Sequence, residues 1–416
     1  MTLPAQQLAE QLLIDAEDQE CPPAPASMLR PGLLLLGLVL VALNLRPALS
    51  SLAPLLNEVA QSVGLSSAAA GLLTTLPVFC LGLFAPLAPI LARRFGAERV
   101  VLGFLLVLAG GIGLRSLFGI PGLFLGSLLA GASIGIVGVL LPGIIKRDFP
   151  RQAGSLTGVY TMGLCLGAAA AAGATVPLSE YWQSWAMGLA FWALPAIIAA
   201  LCWLPQTAAP AVSAGARVQV RGLWRDPLAW QITLYLGLQS SLAYIVFGWL
   251  PSILIGRGLS PLEAGLMLSG SVLVQLLSAL SAPWLATRGR DQRLAIALAL
   301  ALTLTGLLGC LYSPVGGLWG FAVVLGLGQG ATFSLALSLI VLRTPDSHVA
   351  SQLSSMAQGV GYTLAGFGPL AVGLLHDWSG DWSLLGGLFV LVSVLALVFG
   401  MGAGRDRLVA VRAEPL

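Results

Sequence analysis

From Pro31 onward the chain is written in blocks. Apolar runs of roughly twenty residues, the length a helix needs to cross a bilayer, are separated by short polar interruptions. Twelve such runs predict membrane helices over residues 31–56, 67–92, 98–116, 120–145, 153–176 and 184–205, then 227–254, 262–286, 293–312, 315–341, 349–375 and 382–403. We number them spans 1 to 12. The pattern predicts an all-α membrane protein of two six-helix halves, 31–205 and 227–403, joined by a polar linker at 206–226. Residues 1–30 and 404–416 are left as tails.

Composition removes the alternative of a soluble fold. Only 9% of the 416 residues are charged and 57% are hydrophobic, against about 25% charged in an average soluble domain. The basic residues then orient the chain, since Lys and Arg collect in short cytoplasmic loops. Arg93, Arg94 and Arg99 follow span 2, Lys146, Arg147 and Arg151 follow span 4, and Arg288, Arg290 and Arg293 follow span 8. Only Arg115 and Arg257 are assigned to the opposite side. Both termini are therefore expected in the cytoplasm and the protein in the cytoplasmic (inner) membrane. The net charge of +3 reports this topology and not nucleic-acid binding. The first 30 residues carry five acidic side chains and no signal-peptide core, which reads as a disordered cytoplasmic tail. The cysteines have no CxxC spacing, so no metal site, cofactor or disulfide framework is expected.

An internal repeat supplies the architecture. Pro89, Leu91, Ala92, Arg94 and Arg99 recur as Pro283, Leu285, Ala286, Arg288 and Arg293, each 194 residues later, with Glu98 matched by Gln292. Both copies follow the second span of a half, on the same side. The halves are thus expected to be parallel repeats about a pseudo-two-fold axis along the membrane normal, an arrangement that moves cargo by alternating access around a central site.

Arg46 is the charged residue set deepest in any span. A charge there costs several kcal/mol, usually faces the bundle interior, and marks a pathway or binding site. A guanidinium offers parallel donors to a carboxylate or similar planar anion and stays charged at any relevant pH. The snorkelling alternative suits residues nearer a helix end. Other polar interruptions complete a candidate site: Asn44 beside it; Gln239 and Ser240, one repeat offset from Leu45 and Arg46; Tyr244; Gln329 with Thr332 and Phe333; and Gln358 and Tyr362, four apart on one face. Interhelical hydrogen bonding explains each glutamine equally well. Trp249, close to the outer end of span 7, reads as a gate. Thr74, Thr75, Tyr160 and Gln275 are weaker candidates.

Longer motifs narrow the family. Asn44-Leu45-Arg46-Pro47-Ala48, Gly237-Leu238-Gln239-Ser240 with Tyr244 and Trp249-Leu250-Pro251, Gly326-Leu327-Gly328-Gln329-Gly330, Leu353-Ser354-Ser355-Met356, Gly361-Tyr362, Gly368-Pro369 and His376-Asp377 occur in order from Leu33 to Gly400. In these the chain resembles the cyanate and 2-nitroimidazole transporter family of the major facilitator superfamily. The resemblance implies the twelve-helix fold of that superfamily and a cyanate-like, carboxylate or nitro-heterocyclic substrate. The superfamily's loop signature after span 2 is altered, with Pro89, Arg93 and Glu98 replacing its first glycine, aspartate and terminal basic residue. An ionic gate there would have to use Arg94, Glu98 and Arg288.

These readings converge on a secondary transporter of a small anion, with Arg46 as its ligand. A multidrug or small-heterocycle exporter with a broader apolar pocket and a non-transporting ligand sensor are the alternatives. The chain shows no constellation of nucleophile and base, so no enzyme is expected. No Asp or Glu lies mid-span, which leaves His376 as the titratable group for any proton coupling. The expected partners are a small-molecule anion, membrane lipid and, with coupling, protons; a monomer is the expected state.

Overall fold

The computed structural model describes residues 29–149, 153–208, 218–220, 222–286, 291–345, 347–411 and 413–415. Among them eleven helical spans are long and apolar enough to cross a membrane. The twelfth, span 11 (Ser347–Ser379), has the length but carries Ser354, Ser355, Gln358, Tyr362 and Thr363 along its course. Arg288, a candidate gating residue, lies outside the described residues.

Prolines divide several spans. Span 1 consists of Leu29–Asn44, Pro47–Ser50 and Leu52–Val63. Pro47 has no N–H to give to the carbonyl of Leu43, and Pro54 none to that of Ser50, so the helix is interrupted at both places. Span 2 breaks at Pro86 into Ser67–Phe84 and Leu87–Phe95, and span 6 comprises Trp185–Ala190 and Ala193–Trp203. Spans 3 (Ala97–Leu117), 4 (Gly119–Asp148) and 5 (Ala153–Trp182) are continuous. So are spans 7 (Pro227–Gly256), 8 (Pro261–Ala286), 9 (Arg293–Tyr312), 10 (Leu318–Leu342) and 12 (Leu385–Ala403). Span 1 outruns its apolar block, which ends at residue 56. Its last turns carry Glu58 and Gln61 in exposed positions, and Gly64 closes the helix at φ 72°, a backbone conformation that favours glycine.

The repeat is realised in the packing. Span 1 lies against spans 5 and 6, span 2 against span 4, and span 3 against spans 4 and 6. Span 7 lies against spans 11 and 12, span 8 against span 10, and span 9 against spans 10 and 12. Adding six to each number of the first set gives the second. Local contacts follow the same rule. A Cβ at Gly167 would sit 2.0 Å from the Leu43 carbonyl oxygen, and one at Gly237 would sit 2.9 Å from that of Gly361; Leu43 and Gly167 are each 194 residues before Gly237 and Gly361. Glu98 pairs with Arg147 at 2.5 Å, and its counterpart Gln292 accepts from Arg343.

Across the halves, span 2 packs on span 11 and span 5 on span 8, while Pro47–Ser50 and Leu52–Val63 of span 1 pack on span 7. We call the face carrying the linker and the C-terminal segment the near face, and the opposite one the far face. Contacts between the halves run along spans 2 and 11, where a Cβ at Gly82 would lie 2.4 Å from Thr363 Oγ1, and continue to the far face. A Cβ at Gly265 would lie 2.5 Å from the Ala172 oxygen, and one at Gly173 would lie 3.3 Å from Ser269 Oγ. The Ala68 N–H donates to Asp377 Oδ2 at 2.8 Å, and His376 Nδ1 lies 3.2 Å from Ser67 Oγ. At the near face, Val218–Val220 of the linker pairs antiparallel with Ala413–Pro415. The C-terminal segment is docked on the second half there: the Val409 N–H donates to Arg343 O, and that of Ala410 to Asp226 Oδ2.

Of the two arginines assigned to far-side loops, Arg257 is found in one and Arg115 is not. Arg257 follows span 7 directly and donates to the carbonyls of Cys310 and Ser313. Arg115 is no loop residue: it occupies the last turn of span 3 and is 2% exposed. Its side chain turns inward over Gly126, where a Cβ would lie 2.6 Å from Arg115 Cγ.

Candidate functional site

Arg46 sits at the interruption of span 1, immediately before Pro47, with φ −106° and ψ −26°. Its guanidinium carbon lies 5.9 Å from the ring centre of Tyr244 and 5.6 Å from that of Phe247, both on span 7 of the opposite half. Tyr160 and Cys165 of span 5 and Tyr362 of span 11 are also within its electrostatic reach. Tyr244 meets Tyr362 edge to face, with centroids 6.1 Å apart. Although mid-span, Arg46 is only half-buried, whereas Tyr244, Phe247 and Tyr362 are buried. No hydrogen-bond acceptor or carboxylate reaches the guanidinium among the described residues. Cation–π contacts of about 0.5–2 kcal/mol do not replace hydrogen bonds to five N–H donors.

The remaining candidates divide by what their polar atoms already do. Asn44 Nδ2 donates to Leu40 O at 2.7 Å within its own helix. Gln239 Nε2 donates to Leu236 O and to Ser240 Oγ, and both side chains are buried. Gln329 Oε1 accepts from Gln275 Nε2 and Gln329 Nε2 donates to Leu242 O, tying spans 7, 8 and 10 together. Gln358 Nε2 donates to Ser354 Oγ one turn back. Phe333 is half-buried on span 10. Thr74 Oγ1 donates to Gly71 O, and Thr75 is fully buried. The structure thus gathers Arg46, Tyr160, Tyr244 and Tyr362, and adds Phe247 and Cys165. Phe247 was legible, since it follows Tyr244 by three and shares its helix face.

Trp249 is 3% exposed, donates from Nε1 to Pro369 O at 2.9 Å and meets Trp382 edge to face at 5.9 Å. His376 lies against the same Trp382, with centroids 3.9 Å apart and the rings tilted by 39°. Beside it Asp381, in the connection between spans 11 and 12, accepts from the Ser383 hydroxyl and N–H. These bonds hold its carboxyl below the ordinary aspartate range. Trp249 and His376 thus form one far-face cluster, of which His376 reaches across to Ser67. Glu98 is paired to Arg147, and Arg94 lies over Phe95 at 5.3 Å. The described contacts of both residues stay inside the first half.

Comparison with known proteins bears on the family and the fold. The family model of the Major Facilitator Superfamily matches residues 34–366 and 257–410. The 2-nitroimidazole transporter of Escherichia coli K12 is 40% identical over 90% of this chain and 96% of its own length. The cyanate transport protein CynX of the same organism is 34% identical over 88% and 97%. Among solved structures, a point mutant of the nucleoside transporter NupG superposes with a TM-score of 0.70 at 15% identity, over 89% of this chain and 98% of that one; at that identity the likeness concerns the fold alone.

Proposed function

Because the chain belongs to the Major Facilitator Superfamily and, within it, to the family of the cyanate and 2-nitroimidazole transporters, we propose that it carries a small planar anion across the cytoplasmic membrane by alternating access, with Arg46 as the anion ligand. The observation that carries this reading is a mid-span guanidinium against the rings of the opposite half, lacking any acceptor among the described residues. An ionised substrate supplies the acceptors that the protein withholds. Tyr244, Phe247 and Tyr362 offer a flat, polarisable wall to a conjugated ligand. Cyanate is such an anion, and the nitro group of a nitroimidazole presents similar oxygens to a guanidinium.

Asn44, Gln239, Ser240 and Gln329 then act as supports, because their described hydrogen bonds are made to their own helix or half. Gln358 and Phe333, half-buried beside this region, border the substrate path. With both termini in the cytoplasm, the packed far face is the periplasmic side. Opening outward requires the His376–Ser67 and Asp377–Ala68 contacts to part. His376 is thereby a latch as well as the candidate for proton coupling, and Trp249 braces it through Trp382.

The test is uptake into proteoliposomes of labelled cyanate, benzoate and 2-nitroimidazole, with and without a proton gradient. Saturable uptake of an anion that is lost in Arg46→Ala supports the proposal. Transport of many apolar compounds, unaffected by that substitution, would establish the multidrug alternative instead. Binding without flux would establish a sensor.

A further inference from the structure

The first half buries a second arginine that the transport reading does not use. Arg115 Nη1 donates to Ala48 O at 2.7 Å, two residues beyond Arg46. Its Nε and Nη2 have no hydrogen-bond partner among the described residues, and neither has Ser127 Oγ on span 4. Arg115, Ser127 and Thr74 border a cavity of about 20 Å³ whose other wall is Tyr244, Phe247 and Gly248. That is room for one water or a monatomic anion. The described ion pairs all lie toward the near face, so among the described residues no carboxylate pairs with this charge. Buried donors of a charged group left unpaired are costly, which favours a ligand that accepts from them.

The second half shows what a purely structural crossing looks like. Where spans 9 and 10 cross, Phe321 covers Gly309 so closely that a Cβ there would lie 2.0 Å from the ring. Hydrocarbon fills the place that a guanidinium and a hydroxyl take between spans 3 and 4. We propose that Arg115 and Ser127 form a second anion subsite, beside the Tyr244 and Phe247 rings, which takes a small monovalent anion such as a halide or the oxyanion end of the substrate. The two rings border both sites, so a hand-over of the anion from one arginine to the other would run past Tyr244 and Phe247. The hand-over rests on the reading of Arg46 as an anion ligand; the subsite itself stands on Arg115 and Ser127.

Thermal unfolding of the purified full-length protein tests it, titrated with sodium bromide and sodium cyanate at ionic strength held constant with gluconate. Ser127→Val is the decisive variant, because it fills the cavity without removing a hydrogen bond; Arg115→Gln accompanies it. The expected result is saturable stabilisation by bromide in the parent and in Arg46→Gln, with half-saturation at least tenfold weaker in Ser127→Val and Arg115→Gln. Loss of the cyanate response together with bromide marks a stop for the substrate; loss of bromide alone marks a resident inorganic anion. Either supports the subsite. Bromide and cyanate titrations of Ser127→Val that superimpose on the parent overturn it, even if Arg115→Gln fails to fold. An Arg46→Gln protein that still transports overturns the proposed function and leaves this result standing.

Discussion

Spans 1 and 7 occupy equivalent places in the two halves and have diverged at their centres. Leu45-Arg46-Pro47 and Gln239-Ser240-Ser241 are the same three positions, 194 residues apart. Pro47 interrupts span 1 at Arg46, which is half-buried against span 7; Ser241 keeps span 7 helical from Pro227 to Gly256, and Ser240 is buried, accepting from its neighbour Gln239. The contact with the partner helix is the same in kind, Leu43 on Gly167 in one half and Gly237 on Gly361 in the other. The repeat therefore preserves the packing, while the charge and the irregular backbone that presents it belong to one half only. The other half contributes rings.

The strongest way to break this comparison is to move the charge. A double variant, Arg46→Ser with Ser240→Arg, should not recover anion binding, since unbroken span 7 aims position 240 into the packed second half. Affinity should fall on the order of a hundredfold or more, as expected when a desolvated charged pair loses one member. Next in size is Gly167→Ala. Its new Cβ would collide with the Leu43 carbonyl, which is backbone and can yield only by shifting the interruption that carries Arg46. Binding should weaken roughly tenfold, for about 1–2 kcal/mol of lost alignment, and calorimetric titration of the folded variant checks it. Tyr244→Leu removes one of the two rings under Arg46 and should cost about five- to tenfold in substrate affinity, in line with a partly desolvated cation–π contact. Smallest is Ser240→Ala. Its hydroxyl accepts only from Gln239 among the described contacts, so transport kinetics should stay within about twofold of the parent.

Most of the fold was legible because a bilayer leaves helices few alternatives: each needs a long apolar block, and the blocks are visible. The internal repeat was legible in the loop after span 2 and reappears as paired packing. Arg46 was legible from its depth alone. The roles of the amides were not, because polarity does not reveal where a hydrogen bond is spent; Asn44 and Gln239 give their N–H groups to backbone carbonyls of their own helices. Arg115 was misplaced for a related reason. It lies one residue inside the predicted end of span 3, and what turns it inward is Gly126 on the next helix, a contact that no periodicity encodes.

The central claim is that an ionised substrate completes the coordination of Arg46. The most direct measurement is the shift in melting temperature of the parent and of Arg46→Gln across a panel of cyanate, benzoate and 2-nitroimidazole. Stabilisation grows with the logarithm of ligand concentration over its dissociation constant. The account predicts that at least one planar anion stabilises the parent in this way while the variant, folded and equally stable without ligand, responds at least a hundredfold more weakly. Equal stabilisation of both proteins by the same compound would contradict it.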